Sequence, residues 1–290
     1  MITKPPCLLA ATLALLPLPV FAAPAPQIAL TFDDLPSHTP YPAGETPVTV
    51  VDAIVAALKQ AHAPAFGFAN AGKGQPDEPD TVLSHWRAAG LPLGNHGYNH
   101  LNLDKVGAAQ FIAEVDRNQT ALASYGMKRL LRYPFLAEGK DPAVRDAVRK
   151  ALAERRYRIA GVSLSFDDWA WNAPYARCAA QGNGGAIADL ETRYLEAAQA
   201  DAEAARGASH ARYGRDVPYV LLLHVGAFDA RMLPRLLALY REMGFRFIPL
   251  EQAQRDKFYA ATDPTQPGPS PALLRTAPLS RPGDEVCPAT

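Results

Sequence analysis

The sequence has no surplus of charge: 29 lysines and arginines are matched by 29 aspartates and glutamates, and the pI is near 7.1. A chain so balanced gives no electrostatic case for a nucleic-acid partner or an anionic membrane. No internal repeat of 20 to 50 residues is visible, which argues against solenoid and propeller architectures. Cysteine is scarce, at three in 290 residues, too few to carry a disulfide pattern. No apolar run is long and unbroken enough to span a bilayer.

The longest apolar stretch lies in the opening "MITKPPCLLAATLALLPLPVFAAPAPQ". One lysine precedes an apolar run that two prolines interrupt, and small residues follow. This is the layout of a secretory signal peptide over residues 1–22, cleaved after Ala22 or Ala23, rather than an uncleaved anchor. The expectation is therefore export, to the periplasm or beyond, with no transmembrane segment after cleavage. Cys7 departs with the leader. Cys178 and Cys287 remain, and an oxidising compartment permits either a bridge or two free thiols.

What the chain does have is apolar content, 48% over 290 residues, enough for one large domain or two small ones. Strand-like runs fall at 27–32, 65–70, 91–94, 129–133, 158–165, 218–224 and 245–250. Helical patterns lie between them at 46–61, 80–89, 104–125, 141–155, 187–206 and 229–243. Pro47 and Pro142 suit first-turn positions, and Gly90, Gly126 and Gly244 suit left-handed caps. Seven strands, each followed by a helix or long connection, imply parallel pairing with helices outside. The connection over 170–217 is unusually long, and leaving from the busy rim it is expected to wall part of a substrate site. Beyond Lys257 the chain is proline-rich and aperiodic, an extended or disordered tail over 258–290. The folded domain spans 27–257.

The polar residues gather at strand ends. "IALTFDDLPSH" places Asp33 and Asp34 where the first strand stops at Pro36. His96 and His100 follow the third strand, Arg132 and Phe135 the fourth, Asp168 and Trp169 the fifth, and His224 ends the sixth. Five strands contributing to one rim favour a closed or nearly closed barrel over an open sheet. In "HGYNH" two histidines four apart share a face if they lie on one helical turn, a spacing that suits a metal. Two histidines and a carboxylate complete a catalytic zinc set with a position left for water; the same set can hold non-haem iron. Of the two aspartates, one is expected to bind the metal and the other to act as a base.

With those residues in order, the chain resembles the polysaccharide deacetylases of carbohydrate esterase family 4, the group with the NodB-homology domain. The resemblance runs from about Gln27 to Leu250 through "TFDD", "HGYNH", "RYPF", "DDW" and "LLH". It implies a distorted (β/α) barrel of about seven parallel strands with the active site at their carboxyl ends. It also implies Asp34, His96 and His100 as ligands of a divalent metal, zinc by default with cobalt possible. Asp33 would be the base, oriented by Arg132, and His224 the acid, supported by Asp168. The backbone N–H of Phe135 would hold the oxyanion, and Trp169 and Leu222 would line the acetyl pocket.

The reaction so implied is hydrolysis of N-acetyl groups on N-acetylglucosamine units of a chitin-like or peptidoglycan-type glycan, releasing acetate. The rivals are O-deacetylation of an acetylated polysaccharide and a catalytically silent carbohydrate-binding protein. Tyr98, Trp171 and Tyr175 are further aromatics that could face a sugar or simply pack the core. Three positions depart from the family pattern. Gly97 stands where serine or threonine is usual, which predicts a looser ligand loop. Ser165 replaces an aspartate, whose place Asp167 could take. Leu35 follows "TFDD" where glycine is more common.

Overall fold

Every residue of β1 (Gln27–Leu35) after Gln27 is buried, as a strand flanked on both sides must be. The computed structural model describes residue 1 and residues 24–73, 78–271, 273–274, 281–282 and 285–288. It builds a sheet around β1, which pairs in parallel with β2 (Ala65–Ala69) on one side and β6 (Tyr219–His224) on the other. From β2 the sheet continues through β3 (Leu93–Asn95), β4 (Leu130–Leu131) and β5 (Arg158–Ile159), all parallel. β7 (Arg246–Phe247) pairs with the first two residues of β1. The chain leaving β5 returns to β6 through a bridge between Leu164 and Leu221. That return curls the sheet into the distorted barrel expected from the alternation of elements.

The same return explains why β5 is short. A strand was expected over 158–165, but the segment must leave β4 to reach β6, so only its first two residues stay paired with β4. The helices form where their caps predict. Thr46 and Thr49 make a reciprocal capping box at the start of α1 (Pro47–Gln60), with Pro47 in the first turn. α2 (Glu78–Ala88) and α3 (Leu103–Ala121) follow. Asp141 caps α4 (Pro142–Glu154) through the Ala143 N–H.

The 170–217 connection is not a wall of the site. It forms α5 (Trp169–Ala180) and the 30-residue α6 (Gly184–Tyr213). Leu190, Tyr194, Ala198, Ala202 and Ala205 recur at helical spacing and are buried. Trp171 and Tyr175 also pack inward, against Tyr194 and against Phe228 of α7 (Ala227–Glu242), so both are core residues. A short helix α8 (Leu250–Ala253) buries Leu250 and Ala253 in a cluster with Ala29, Phe66, Phe68 and Val220 of the strands.

Past a 3₁₀ turn at Lys257–Thr262 the tail has little regular structure, in keeping with its prolines, yet its described residues are anchored. The Leu274 N–H donates to the Ser163 carbonyl, Arg281 pairs with Asp167, and Cys287 is disulfide-bonded to Cys178 of α5. Residues 2–22 of the expected leader lie outside the described residues. No helix among the described residues is long and apolar enough to cross a membrane.

Candidate active site

Adjacent residues of a strand point to opposite faces, so Asp33 and Asp34 should not share a rim. They do because β1 breaks register between Phe32 and Leu35, with Asp34 in the left-handed region at φ 69°. Both carboxylates thereby line one cavity of about 360 Å³. Leu35, the residue after the pair, is fully buried. Its Cδ1 fills the space beside Gly67, where a Cβ would lie only 2.4 Å away.

His96 and His100 do not lie on a helical turn, as their spacing had suggested. They sit on an irregular loop after β3, where left-handed residues at Gly97 (φ 74°) and His100 (φ 56°) bring the rings to 4.8 Å. The His96 Nδ1–H donates to the Arg132 carbonyl at 2.8 Å, which leaves Nε2 free to act as a ligand. Asp34 Oδ1 lies 3.7 Å from His96 Nε2 and 3.4 Å from His100 Nε2.

Nor is the loop loose for want of a serine or threonine at 97. A side chain there would be strained by the positive φ. Buried amides hold the loop instead. Asn70 Nδ2 donates to the carbonyls of His96 and Gly97, the Gly97 N–H donates to Asn95 Oδ1, and Asn118 binds Asn95 in turn.

The protonation states suit a metal, whose ligands must be deprotonated. Burial works to raise the Asp34 carboxyl, but the hydrogen bond from His38 and the charges of His224 and Lys73 hold it well below the usual range. Burial and the neighbouring His100 push His96 well below its ordinary value, and burial pushes His100 down to about 4. The Lys73 ammonium approaches Asp34 Oδ1 to 2.7 Å, a positive charge at the oxygen that faces both imidazoles. An anionic oxygen and two neutral imidazoles are a donor set that fits a divalent transition ion. Among the described residues, this is the cluster whose ligand atoms all lie within 4.8 Å of one another.

Asp33 sits beside this triad. Its Oδ2 lies 3.5 Å from Arg132 Nη1, while Oδ1 is buried without a hydrogen-bond partner. Arg132 is itself fully buried, tied by Nε to the Ala160 carbonyl and by Nη2 to Thr31 Oγ1. Burial raises Asp33 to about 6, against the lowering pull of Arg132 and His224.

Leu222 and His224 share a face of β6 by its two-residue period, and both line the cavity. Asp168, fully buried, accepts from the His224 backbone N–H at 2.6 Å and lies 3.1 Å from His224 Nδ1. Trp169 and Phe135 stand exposed at the rim, and Phe135 packs on the His100 ring at 4.5 Å. Tyr98 lies instead under the Arg117 guanidinium, 3.6 Å from its ring centre. Asp167 lines the cavity with its Oδ2 paired to Arg281, 2.6 Å from Nη2.

Sequence reasoning missed His38, Lys73, Leu273 and Arg281. His38 was in the first motif, but only the turn after Asp34 folds it back over the carboxylate. Lys73 lies after β2 with no spacing to mark it. Leu273 and Arg281 belong to a tail whose composition carries no periodicity.

Comparison with known proteins bears on this arrangement. Residues 22–159 match the family model for polysaccharide deacetylase, so the match ends at β5, before Asp168, Trp169, Leu222 and His224. No curated protein matches the sequence. Among solved structures the chain is similar to the chitin deacetylase of Colletotrichum lindemuthianum, at 20% identity and TM-score 0.53, over 80% of this chain and 90% of that one. It is also similar to the Xyl-CE4 domain of a multidomain xylanase from the hindgut metagenome of Trinervitermes trinervoides, at 16% identity and TM-score 0.54, over 80% and 91%. The peptidoglycan deacetylase PdaC of Bacillus subtilis matches at 16% identity and TM-score 0.51, with the same coverage. At these identities the likeness is one of fold. Residues 22–159 therefore carry a polysaccharide deacetylase domain, and the chain as a whole has the fold of the solved deacetylases.

Proposed function

We propose that this protein is a metal-dependent hydrolase that removes N-acetyl groups from N-acetylglucosamine units of a glycan. The observation that carries the reading is a pairing of opposite chemistries around one triad. Asp33, with an unpartnered oxygen, and His224, backed by Asp168, occupy matching positions on adjacent strands beside Asp34, His96 and His100.

Asp34, His96 and His100 would hold a divalent ion, zinc first and cobalt as an alternative, which would supply Lewis acidity for lowering the pKa of a water and polarising the acetyl carbonyl. Asp33 Oδ1 accepts the proton of the attacking water, while Arg132 keeps the carboxylate ionised and aimed. The backbone N–H of Phe135 stabilises the charge that develops on the carbonyl oxygen. His224 gives a proton from Nε2 to the departing nitrogen, and Asp168 orients the ring through Nδ1. The C–N bond breaks, leaving acetate and a free amine. Trp169 and Leu222 bracket the acetyl methyl.

Export fits this role, because the glycans concerned lie outside the cytoplasm. The leader-like residues 1–22 and a Cys178–Cys287 bridge suited to an oxidising compartment support it.

The test is acetate release from N-acetylated chitooligosaccharides, peptidoglycan fragments and O-acetylated xylan. Acetate from the N-acetylated substrates supports the proposal. Acetate from xylan alone would replace it with O-deacetylation, where a weaker dependence on His224 is expected because the leaving oxygen needs protonation less. Ligand binding without acetate from any of them would favour a silent carbohydrate-binding protein.

A further inference from the structure

His38 occupies a place that the mechanism above does not use. The Ser37 N–H bonds back to the Asp34 carbonyl at 2.8 Å, across a turn that contains a cis Leu35–Pro36 peptide. The chain reverses there, and the His38 side chain returns over the carboxylate four residues before it. His38 Nδ1 lies 2.8 Å from Asp34 Oδ2. Because an ionised carboxylate only accepts, Nδ1 carries the proton in this pair. On its other side the His38 ring meets that of His224, with 4.9 Å between centroids at 45°.

The position is braced from outside the turn. The His38 N–H donates to Tyr41 Oη at 3.0 Å, and its carbonyl accepts from Asn172 Nδ2 at 3.1 Å. Asn172 is buried in α5, also binds the Pro40 carbonyl at 2.8 Å, and accepts from the Phe228 N–H at the start of α7. The helices α5 and α7 thus fix the height of one imidazole above Asp34.

The two oxygens of Asp34 consequently have different surroundings. Oδ1 faces His96 Nε2, His100 Nε2 and the Lys73 ammonium, whereas Oδ2 is taken by His38. We propose that His38 is a positioning residue that commits Asp34 to bind the metal through Oδ1 alone and leaves the remaining coordination positions to water and substrate. The proposal rests on the reading of Asp34, His96 and His100 as the metal site. A carboxylate free to swing could bind through both oxygens and occupy a position the substrate needs. Partners of ligating side chains commonly govern metal affinity about 10- to 100-fold.

Three substitutions separate a hydrogen-bonding role from a space-filling one. In His38→Asn the amide nitrogen falls close to where Nδ1 lies, whereas His38→Gln carries its amide one carbon further out, and His38→Ala removes the donor. The purified proteins are stripped of metal. Zinc affinity is then measured by competition with a chromogenic chelator, and the cobalt-loaded forms are compared by visible absorption. Melting of the metal-free forms monitors the fold.

The expected result is zinc affinity near wild type for H38N and about 10- to 100-fold weaker for H38Q and H38A. The cobalt bands of H38Q and H38A should weaken, as they do when the coordination number rises. Equal affinities and spectra in all variants, or equal losses in H38N and H38Q, would overturn the proposal. If H38A fails to fold, the H38N and H38Q pair still decides. Failure of the underlying site looks different: wild type would take up no zinc, or Asp34→Asn would bind it as tightly as wild type.

Discussion

Asp33 and His224 are register partners across the β1–β6 ladder. Neighbouring strands therefore hold a carboxylate and an imidazole side by side, next to the Asp34–His96–His100 cluster. The register fixes their spacing more rigidly than loops could.

In this arrangement His224 matters in proportion to how badly the leaving group needs a proton. His224→Ala should lower kcat/KM on N-acetylated chitooligosaccharides by about 100-fold or more. On 4-nitrophenyl acetate, whose phenolate leaves unaided, the loss should be far smaller. Steady-state kinetics on the two substrates checks this. Equal losses on both would mean that His224 serves the site in some other way.

Asp168 makes the stability of the metal-free protein depend on pH in an unusual direction. Burial, opposed by His38 and the His224 N–H, pushes its carboxyl from an ordinary 3.8 up to about 7. Between those values the folded chain holds a proton that the unfolded chain has lost, so this contribution is intact below about pH 4 and disappears as the pH rises through about 7. Asp168→Asn has no such proton to lose. The Tm of wild type minus that of D168N, measured in chelator, should therefore fall between pH 5 and pH 8. His96 and His100 titrate in the opposite sense, but they do so in both proteins and cancel. A difference that stays constant with pH would contradict the account.

The Cys178–Cys287 bridge ties the tail to α5 across 109 residues of sequence. Replacing both cysteines by serine should cost roughly 2–5 kcal/mol of stability, read as a lower Tm. Because Leu273 lines the cavity and Arg281 pairs with Asp167, the loosened tail should raise KM more than it lowers kcat. Unchanged Tm and KM would show that the tail holds its place without the bridge.

How much of this was legible beforehand depended on whether the signal was local. Seven strands, the capped helices and the residues at strand ends follow from periodicity, proline and glycine positions, and short motifs, all of which act within a few residues. The helical turn assigned to His96–His100 failed because Gly97 and His100 adopt left-handed conformations, enforced by Asn70, Asn95 and Asn118 from elsewhere in the fold. The expectation that Gly97 would loosen the site failed for the same reason. The helical pattern over 187–206 was legible in the 170–217 connection, but spacing alone does not say that Leu190, Tyr194 and Ala198 face the core rather than the site. Lys73 and Arg281 reach the site only through tertiary contacts, which spacing cannot reveal.

The most direct test of the central claim uses wild type and Asp33→Asn together. Both are stripped of metal, reloaded with zinc to one equivalent, and assayed for acetate from N-acetylated chitooligosaccharides. The account predicts that both bind zinc alike, that wild type regains activity with the metal, and that D33N stays at least about 100-fold below it. Acetate release that survives stripping, or a D33N protein as active as wild type, would contradict the assignment of a metal triad with an adjacent base.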